Sequence, residues 1–413
     1  MEFVAPTTVG TEALLAEELT ALGAEGAEAL RGAVRFRGPL RVGYRAALWS
    51  RIASRVLLVL ARFPAPDKRA LYDGARREVR WMDHLGPDER LAVDCVGRAE
   101  WLSNSHFAEL VVKDAVVDAI RDATGRRPSV DPQEPDLRLH LYLYQGQATL
   151  SLDLAGEALH RRGLGRQTND APLKENLAAA LLMHAGWPAA AAEGRPLVDP
   201  MCGAGTILLE AAWMARDVAP GLYRSRWGFQ RWRGHQASVW ASLVREAEER
   251  QRASARRPAL LVGFDTAVPT VHTATQNAAR GGVSDAMRLE RRPLGEASPP
   301  EGEAGLVLTN PPYGQRLGEE DELGPLYAEL GDVLRRRFLG WTAWIFTGSK
   351  ALANRVGLKP ARRIPLWNGP IECRLLCFPI AAAAPQGTAG PAWRRDPSER
   401  HPAGTAPDPS RAR

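Results

Sequence analysis

Residues 196–212 read PLVDPMCGAGTILLEAA, in which a short apolar strand is followed by a glycine loop and by the first turns of a helix. Gly203 and Gly205 allow a ligand to approach the backbone closely, and Thr206 opens a helix whose free N–H groups favour a negative group. The loop is not a P-loop because no Gly-Lys-Ser/Thr follows, and it lacks the third glycine of the dinucleotide fingerprint. The stretch fits a nucleoside whose charged part is a small amino acid rather than a pyrophosphate.

A second apolar strand ends in an acid. The segment Ala259–Asp265 reads ALLVGFD. An acid at the tip of the second strand of a doubly wound sheet typically bonds the ribose hydroxyls of a bound nucleoside. Asp265 can also cap the helix that begins near Pro269, and the two roles can coexist.

A third apolar strand ends in a stiff polar turn, since residues 305–315 read GLVLTNPPYGQ. Pro311 and Pro312 lack a backbone N–H and have fixed φ, which leaves the carbonyls of the turn available as acceptors. Asn310 adds a side-chain carbonyl, and Tyr313 adds a ring on which a flat base or amide can stack. Two acceptors aimed at an NH2 group hold its lone pair toward an electrophile, which is the chemistry of amine methylation. For the tetrapeptide alone, a rigid turn without function is the alternative.

The order of these three strand ends resembles that of class I S-adenosylmethionine-dependent methyltransferases. A strand at Trp341–Thr347 and a hairpin within residues 363–378, joined at Asn368-Gly369, extend the resemblance over the C-terminal half. It implies an α/β, Rossmann-like domain with a seven-stranded sheet and S-adenosylmethionine as the cofactor. The cofactor-binding residues are then Asp199, Pro200, Cys202, Gly203, Gly205, Thr206, Asp265 and Asn310, and the catalytic residues are Asn310, Pro311, Pro312 and Tyr313.

The N-terminal half resembles the THUMP module of RNA-modifying enzymes in the segments His106–Asp118, Arg127–Asp131 and Ser151–Gly163. With the α+β ferredoxin-like unit before it, the pattern is similar to bacterial guanine-N2 RNA methyltransferases, which include the large-subunit 23S rRNA enzyme and tRNA-modifying relatives. The resemblance implies methyl transfer to the N2 amine of a guanine in structured RNA, with 23S rRNA ahead of tRNA. The predicted RNA-binding residues are Lys113, Arg127, Arg161, Arg162 and Tyr313. For the basic ones an ordinary solvated face is the alternative.

The patterns divide the chain into four parts: a ferredoxin-like unit at 1–65, a THUMP unit at 66–163, a methyltransferase domain at 164–380 and a tail at 381–413. The tail is predicted to be disordered because it has too little apolar content to fold. Apolar spacing and alternation predict the local structure. Helices are expected at 11–22, 42–50, 68–79, 105–124, 170–184 and 237–256, and N-terminal strands at 33–37, 55–63, 91–96, 137–144 and 147–154.

Composition gives weaker indications about binding partners, metal or disulfide sites, and location. The 413 residues include 54 Lys plus Arg against 48 Asp plus Glu, a net charge of +6 that weakly favours a polyanionic partner such as RNA. Four cysteines without a Cys-x-x-Cys pair or a histidine cluster predict neither a zinc site nor a disulfide framework. With no signal peptide and no apolar run long enough to cross a bilayer, the chain is expected to be cytoplasmic, without a membrane or metal partner.

Two features leave alternatives open. Relatives place an acid after the third strand, where it bonds the adenine amine, but Pro293 stands there in this chain. Glu290 or a backbone carbonyl would have to substitute for it. The segment Tyr223–His235 mixes arginines with aromatics, which suits either base stacking or packing of this excursion onto the domain.

Other functions share the Asn-Pro-Pro-Tyr turn. Adenine-N6 methyltransferases of DNA or RNA and protein glutamine methyltransferases use the same pocket, and the RNA-binding-like front half disfavours both. A binding protein that keeps the fold without activity is a third alternative, against which the intact Gly203, Gly205, Asp265 and Asn310 argue.

Overall fold

The structure is a computed structural model that describes residues 1–102, 104–165, 173–255, 260–314 and 319–382. Two mixed sheets form its framework, one of eight strands and one of seven. The predicted tail lies outside the described residues from position 383 onward. The predicted start of the helix at 170–184 also lies outside them.

The N-terminal half is one eight-stranded sheet with helices on one side. Its strands are β1 (Glu2–Pro6), β2 (Glu25–Leu30), β3 (Ala33–Arg37), β4 (Leu57–Pro64), β5 (Arg90–Gly97), β6 (Ser129–Val130), β7 (Leu137–Tyr144) and β8 (Gln147–Asp153), and its helices are α1 (Glu12–Ala21), α2 (Leu40–Trp49), α3 (Lys68–Arg77) and α4 (Ser105–Thr124). The strand order is β2-β3-β1-β4-β8-β7-β5-β6. Because β4 pairs antiparallel with β8, the two units predicted on either side of residue 65 share one continuous sheet.

Strand β7 shows how this sheet acquires a buried face and an open face. Leu141 and Leu143 are 0% and 1% exposed and belong to the same apolar cluster as Val116 of α4. Tyr142 and Tyr144, which alternate with them, are 44% and 55% exposed. Successive side chains of a strand point to opposite faces, so the helices cover the leucine face and leave the tyrosine face open.

The C-terminal half is the predicted seven-stranded α/β sheet. Its strands are β9 (Leu197–Asp199), β10 (Leu261–Asp265), β11 (Met287–Arg291), β12 (Leu306–Thr309), β13 (Thr342–Thr347), β14 (Arg362–Asn368) and β15 (Ile371–Pro379), and its helices are α5 (Glu175–His184), α6 (Trp187–Ala192), α7 (Thr206–Ala215), α8 (Ala237–Ser254), α9 (Val268–Arg280), α10 (Glu319–Arg337) and α11 (Lys350–Arg355). The strand order is β11-β10-β9-β12-β13-β15-β14. Only β15 runs against its neighbours. The Rossmann-like prediction is therefore confirmed.

The terminal hairpin forms as predicted, but its turn is shifted by one residue. Asn368 pairs with Ile371 across the hairpin, so the two-residue loop is Gly369-Pro370 rather than Asn368-Gly369. Gly369 has a φ of +60°, which residues with a side chain rarely adopt. Because proline cannot adopt a positive φ, the loop cannot be type I′ and matches type II′, which takes glycine first.

An excursion from the C-terminal half, residues 219–255, packs into the core of the N-terminal half. Its residues Trp227, Phe229 and Trp232 are 7%, 0% and 6% exposed and belong to the N-terminal apolar cluster. The ring centroid of Phe229 lies 4.5 Å from that of Tyr44 in α2. Packing is therefore the correct alternative for the aromatics of this segment, because buried rings cannot stack on RNA.

Three further findings concern membrane-spanning helices, metal-ligand clusters and cysteines. Within the described ranges, no helix is long and apolar enough to span a bilayer. In the same ranges, no group of three or more His, Cys, Asp or Glu residues is arranged to hold a metal ion. The four cysteines are free and buried.

Candidate active site

The carboxyl ends of β9, β10 and β12 meet at one edge of the C-terminal sheet. β9 lies in the middle and pairs in parallel with both neighbours, with Leu197 beside Leu261 on one side and beside Leu306 on the other. Strand order reverses here, since β10 and β11 follow on one side of β9, and β12 and β13 on the other. Ligands of open α/β sheets bind at such a switch point. With strands spaced ~4.8 Å apart, the ends of β10 and β12 are about 10 Å apart across the tip of β9.

The glycine loop after β9 leaves space beside its backbone. Gly203 has a φ of +53°, and a Cβ added there would meet nothing within 4 Å. Gly205 has a φ of +77°, and a Cβ added there would lie 3.3 Å from the Cβ of Ala274 in α9. The loop is held down by Cys202, whose N–H donates to the carbonyl of Phe264 at 2.8 Å. Gly203 therefore leaves the approach to the backbone open, and Gly205 allows α7 and α9 to pack closely.

Asp265, at the tip of β10, holds two backbone groups. Its Oδ2 accepts the N–H of Gly203 at 3.2 Å, and its Oδ1 accepts the N–H of Ala267 at 3.0 Å. Ala267 is the residue before α9. The carboxylate therefore braces the glycine loop and the start of the next helix at once. It remains half-buried at the sheet edge, where the predicted ribose contact would be made.

Asp199 is the buried acid of the site. Its side chain is 2% exposed, and its Oδ1 accepts the N–H of Met201 at 3.2 Å. Burial raises the pKa of Asp199 to about 7, the N–H of Met201 lowers it, and the nearby Asp265 carboxylate raises it further. A cation beside this acid would favour the carboxylate.

Cys202 is a space-filling residue of the loop. Its side chain is 6% exposed, and burial raises the pKa of its thiol well above the usual value, with Asp199 and Asp265 adding to the rise. The thiol is therefore protonated at neutral pH and is a poor nucleophile. Pro200 and Thr206, the other loop residues predicted to contact the cofactor, are likewise buried.

The turn after β12 presents an unpaired acceptor. The strand itself is buried, Asn310 is half-buried, Pro311 is buried and Pro312 is exposed. The Oδ1 atom of Asn310 is shielded from solvent and has no hydrogen-bond partner within the part of the chain that the structure describes. Leaving a buried polar atom unpaired costs about 1–3 kcal/mol. Such an atom at the mouth of a ligand site is explained by a donor that the ligand brings.

Tyr313 is directed into the protein. It is 9% exposed, and its hydroxyl accepts a hydrogen bond from Nδ2 of Asn368 at 2.8 Å. Its ring edge lies against Gly348, where an added Cβ would be 3.0 Å away. Burial raises the pKa of Tyr313 to about 12, so the hydroxyl is a neutral anchor on the terminal hairpin. The ring is mostly covered, which argues against stacking of a substrate base on it, and that role stays a prediction.

Arg162, which was predicted to bind RNA, lines the basic cleft described below but is buried in an ion pair. It is 4% exposed, its Nε donates to Oε1 of Glu210 in α7 at 2.9 Å, and its Nη2 donates to the Arg51 carbonyl at 2.8 Å. Glu210 is 0% exposed. A buried charge of this kind is tolerated only when it is paired. Arg162 therefore joins the N-terminal half to the helix that follows the glycine loop.

A basic cleft of about 680 Å³ opens beside this pair. Its lining includes His160, Arg161, Lys174, Leu209, Arg224 and Arg226. Arg161 is exposed, as its predicted contact with RNA requires. Burial lowers the pKa of His160 to about 4, and the charges of Lys174, Arg162 and Arg161 lower it further, so the imidazole is neutral at pH 7. Leu209 belongs to α7, which places the cleft next to the glycine-loop helix.

Arg224 shapes this cleft, although nothing in the sequence distinguished it from its neighbours. Its two Nη atoms donate to four backbone carbonyls at 2.7–3.1 Å, those of Ala155, Glu157, Ala158 and Arg161. Its guanidinium also lies 4.8 Å from the ring centroid of Trp227. The loop that carries Arg161 is therefore fixed by a residue of the excursion.

The other two predicted RNA contacts lie away from the cleft lining. Lys113 is on α4, which covers the leucine face of the N-terminal sheet, and its Nζ is 2.6 Å from Asp114. Arg127 is exposed in the loop after α4. Neither contact is tested by the structure, and both stay predictions.

The third strand offers no free acid for the adenine end. Glu290 pairs with Arg288 and with Arg292, the latter at 2.6 Å. The backbone N–H of Arg292 donates to the carbonyl of Asp265 at 2.9 Å, and its guanidinium lies 4.8 Å from the ring centroid of Phe264. Arg292 was not predicted as part of the site, because a cation over a ring on a neighbouring strand leaves no local signal in the sequence.

Three family profiles match successive parts of the chain. Residues 2–57 match the RlmL ferredoxin-like domain, residues 67–153 match the THUMP domain, and residues 162–376 match UPF0020, the RMKL-like methyltransferase domain. The order of the three is the predicted one.

Whole-chain similarities point the same way. The ribosomal RNA large subunit methyltransferase K/L of Pseudomonas aeruginosa is 49% identical over 374 residues, which are 90% of this chain and 51% of that protein. The chain thus spans about half the length of this relative. The crystal structure of SMU.472, complexed with SAH, has a TM-score of 0.82 at 27% identity and covers 93% of this chain and 99% of that one. A Listeria monocytogenes structure described as a predicted N6-adenine-specific DNA methylase has a TM-score of 0.80 at 29% identity, covering 91% and 95%.

Proposed function

The chain belongs to the family of RMKL-like methyltransferases, and from that premise we propose that it transfers a methyl group from S-adenosylmethionine to the exocyclic N2 amine of a guanine in 23S rRNA. The observation that carries the proposal is the Oδ1 of Asn310, directly after β12, a buried acceptor to which no group in the described part of the chain donates. An exocyclic amine is a neutral donor with two hydrogens, and this acceptor can take one of them.

The residues at the switch point suit S-adenosylmethionine. The open space beside Gly203 admits a ligand close to the loop, and Asp265 offers a carboxylate for the ribose hydroxyls. Asp199 and Asp265 together favour the positive charge of the methionine end. Pro200, Cys202, Gly205 and Thr206 contribute through the shape of the loop. When bound, S-adenosylmethionine supplies a methyl group on a sulfonium centre, which is electrophilic without further activation.

The task of the chain is then to position the amine. Asn310 Oδ1 and the carbonyl of Pro311 accept its two hydrogens, which turns the lone pair of the nitrogen toward the methyl group. Pro311 and Pro312 keep this corner stiff. Holding the amine in the correct orientation lowers the activation barrier to methyl transfer. A strong base is therefore not needed. The proton that the amine releases passes to water.

RNA is proposed as the substrate because the cleft between the halves is basic and the N-terminal half matches a THUMP domain. Arg161, Lys174 and Arg226 would contact phosphates there. The target amine must reach the corner at Asn310, so the nucleotide has to be unpaired or flipped out of its helix. The relative from P. aeruginosa is named for the large-subunit ribosomal RNA, which supports 23S rRNA ahead of tRNA as the proposed substrate and the cytoplasm as the proposed location.

Adenine N6 methylation is the second candidate. The corner at Asn310 accepts any planar exocyclic amine, and the Listeria structure that covers 91% of this chain is described as N6-adenine-specific. The product nucleoside distinguishes the two.

The test starts with RNA from cells that lack the protein. Purified protein and methyl-labelled S-adenosylmethionine are added, the 23S, 16S and transfer fractions are separated, and nucleosides are identified by mass spectrometry. We expect label in N2-methylguanosine of the 23S fraction. Label in transfer RNA would name the other substrate of the family, and labelled N6-methyladenosine would replace the guanine proposal.

Asn310→Ala tests the corner itself. We expect a loss of methyl transfer of about 100-fold or more, the scale seen when one positioned hydrogen-bond group is removed from a reacting centre, with RNA binding nearly unchanged. Asn354→Ala, at an exposed position of α11, is the matched control and should keep full activity. Full activity of Asn310→Ala would contradict the assignment.

A further inference from the structure

Two tyrosines form an exposed pair on the open face of the N-terminal sheet. The ring centroids of Tyr142 and Tyr144 are 6.2 Å apart, and the ring planes differ by 17°. Val96 of β5 is in register with Tyr142 and is 54% exposed, which extends the apolar patch. Contiguous exposed apolar groups of this kind mark interaction surfaces, whereas single ones need no explanation.

The strand register places polar groups beside both rings. Tyr142 lies opposite Thr149 of β8, and Thr149 lies opposite Arg62 of β4. Tyr144 lies opposite Gln147, which is exposed. Each ring therefore has a neighbour that can hydrogen-bond the edge of a flat group stacked on it. The row of paired residues Tyr142, Thr149 and Arg62 also ends in a guanidinium group.

The charged groups named beside the patch are two ion pairs and one further arginine, which leaves a small net positive charge. Arg62 is exposed, and its Nη2 pairs with Oε1 of Glu2 at 2.5 Å. The carboxylate of Asp94, on the same face, is neutralised by Arg138 at 3.0 Å. Arg98 is exposed just beyond β5, where its N–H donates to the carbonyl of Leu143 at 2.9 Å. Parallel rings on a sheet, flanked by arginines, are how small RNA-binding domains hold unpaired bases.

The same face leads to the proposed active site. Arg138, Tyr142 and Tyr144 all point to the open side of β7 because their positions differ by even numbers. Arg138 lines a cavity of about 200 Å³ together with Glu157 and Arg226. Those two residues also line the larger basic cleft. From Arg138 to Tyr144 the strand spans ~20 Å, so a nucleic acid strand lying along β7 runs into the cleft beside the glycine-loop helix.

We propose that Tyr142 and Tyr144 stack two consecutive bases of a single-stranded RNA segment, which β7 then directs into the cleft. This inference rests on the proposed function, to which it adds the form of RNA recognised. The occupant is single-stranded rather than duplex RNA, because only unpaired bases expose their faces to a ring.

The test measures affinity for a fluorescein-labelled, mixed-sequence single-stranded RNA and for the same sequence as a duplex. We expect Tyr142→Ala and Tyr144→Ala each to weaken single-strand binding by about 5- to 150-fold, the range that corresponds to loss of one stacked base. Duplex affinity and the dependence of binding on salt should not change, since tyrosine carries no charge. Tyr142→Phe and Tyr144→Phe keep the ring and are expected to bind within about twofold of the wild type.

The outcomes separate this proposal from the function on which it rests. If the wild type methylates RNA and the alanine variants bind single strands as tightly as it does, the tyrosine surface is refuted and the function stands. If the wild type methylates no RNA and the alanine variants bind single strands more weakly than the wild type, the function is refuted and the tyrosine surface stands. A change in oligomeric state with unchanged RNA affinity, measured by sedimentation, would show a protein occupant and overturn the proposal. Unchanged thermal unfolding and SAH binding confirm that the variants are folded.

Discussion

Asp199 and Asp265 are two acids that the fold brings to the same edge of the sheet, where Asp199 is buried and Asp265 is half-buried. Each is placed by the end of a parallel strand, and each is bound by a loop N–H. The carboxylate of Asp265 raises the pKa of Asp199, and a cation beside Asp199 would offset that effect. The corner is therefore suited to the positive end of a ligand before any ligand is present.

We expect the affinity for the cofactor to rise with pH. The pKa of Asp199 is raised by burial to about 7, so the free protein holds a neutral acid below that pH and a carboxylate above it. Below pH 7, affinity for S-adenosylmethionine should increase by up to about tenfold per pH unit and then level off, whereas Asp199→Asn should show a flat profile. Titration calorimetry between pH 5.5 and 8.5 measures this, and parallel profiles of the two proteins would contradict it.

Stability without cofactor should change in the opposite sense. A carboxyl whose pKa is raised in the folded state stabilises the fold below its ordinary value of 3.8, and this contribution is lost as pH rises through about 7. The free energy of unfolding of the wild type, relative to Asp199→Asn, should therefore fall between pH 4 and pH 7. Urea unfolding of both proteins across that range provides the measurement.

Residues that lie at the ends of strands could be predicted from the sequence. Residues whose position depends on a partner far along the chain could not. Asp199, Asp265 and Asn310 follow short apolar strands, so their convergence could be predicted from the strand order alone. Arg162 resembled a surface arginine because its partner Glu210 lies 48 residues further along the chain. Nothing local signals such a pairing.

The glycine loop is the element on which cofactor binding depends. Both of its glycines have positive φ, yet they serve different neighbours: Gly203 faces open space and Gly205 faces α9. A comparison glycine is available at the start of α6, where Gly186 has the same φ and ψ as Gly205, 77° and 21°, and would place a Cβ in open space.

Gly203→Ala should impair binding more than folding. A left-handed conformation costs a residue with a Cβ roughly 1–2 kcal/mol, so Gly203→Ala and Gly186→Ala should lower the free energy of unfolding by similar amounts. Only Gly203→Ala places a methyl group where the cofactor would lie, and we expect a loss of SAH affinity well beyond tenfold for it alone. Thermal unfolding with and without SAH measures both effects. Equal SAH affinities of the two variants would show that the loop does not contact the ligand.

Elements with strong local signals had accurate predicted bounds. The helix Ser105–Thr124 was predicted to the residue, since the side chain of Asn104 caps its start and Gly125, with a φ of +73°, ends it. Strand β2 was not predicted because five of its six residues are exposed and its sequence does not alternate. The joining of β4 to β8 could not be predicted either, since it pairs segments about 90 residues apart.

At the scale of the whole molecule, the two halves are held together by buried groups rather than by a linker alone. Besides the pair of Arg162 with Glu210, Arg51 donates to the carbonyl of Val218 at 2.7 Å. Trp232 of the excursion donates its Nε1–H to His84 at 2.9 Å. The proposed function requires this rigidity, because RNA held by one half must present one amine to a corner in the other.

The excursion should therefore make the two halves unfold together. Phe229 is fully buried, with ring centroids 4.5 Å from Tyr44 and 4.9 Å from Trp240. Removing a buried ring of this size costs about 3–5 kcal/mol. We expect one calorimetric transition for the wild type, which SAH shifts upward as a unit, and one transition at a lower temperature for Phe229→Ala. Phe107→Ala, which truncates a ring that is 37% exposed on α4, should change the transition temperature little. Two wild-type transitions, of which Phe229→Ala moves one and SAH the other, would show that the halves are independent and that the excursion does not couple them.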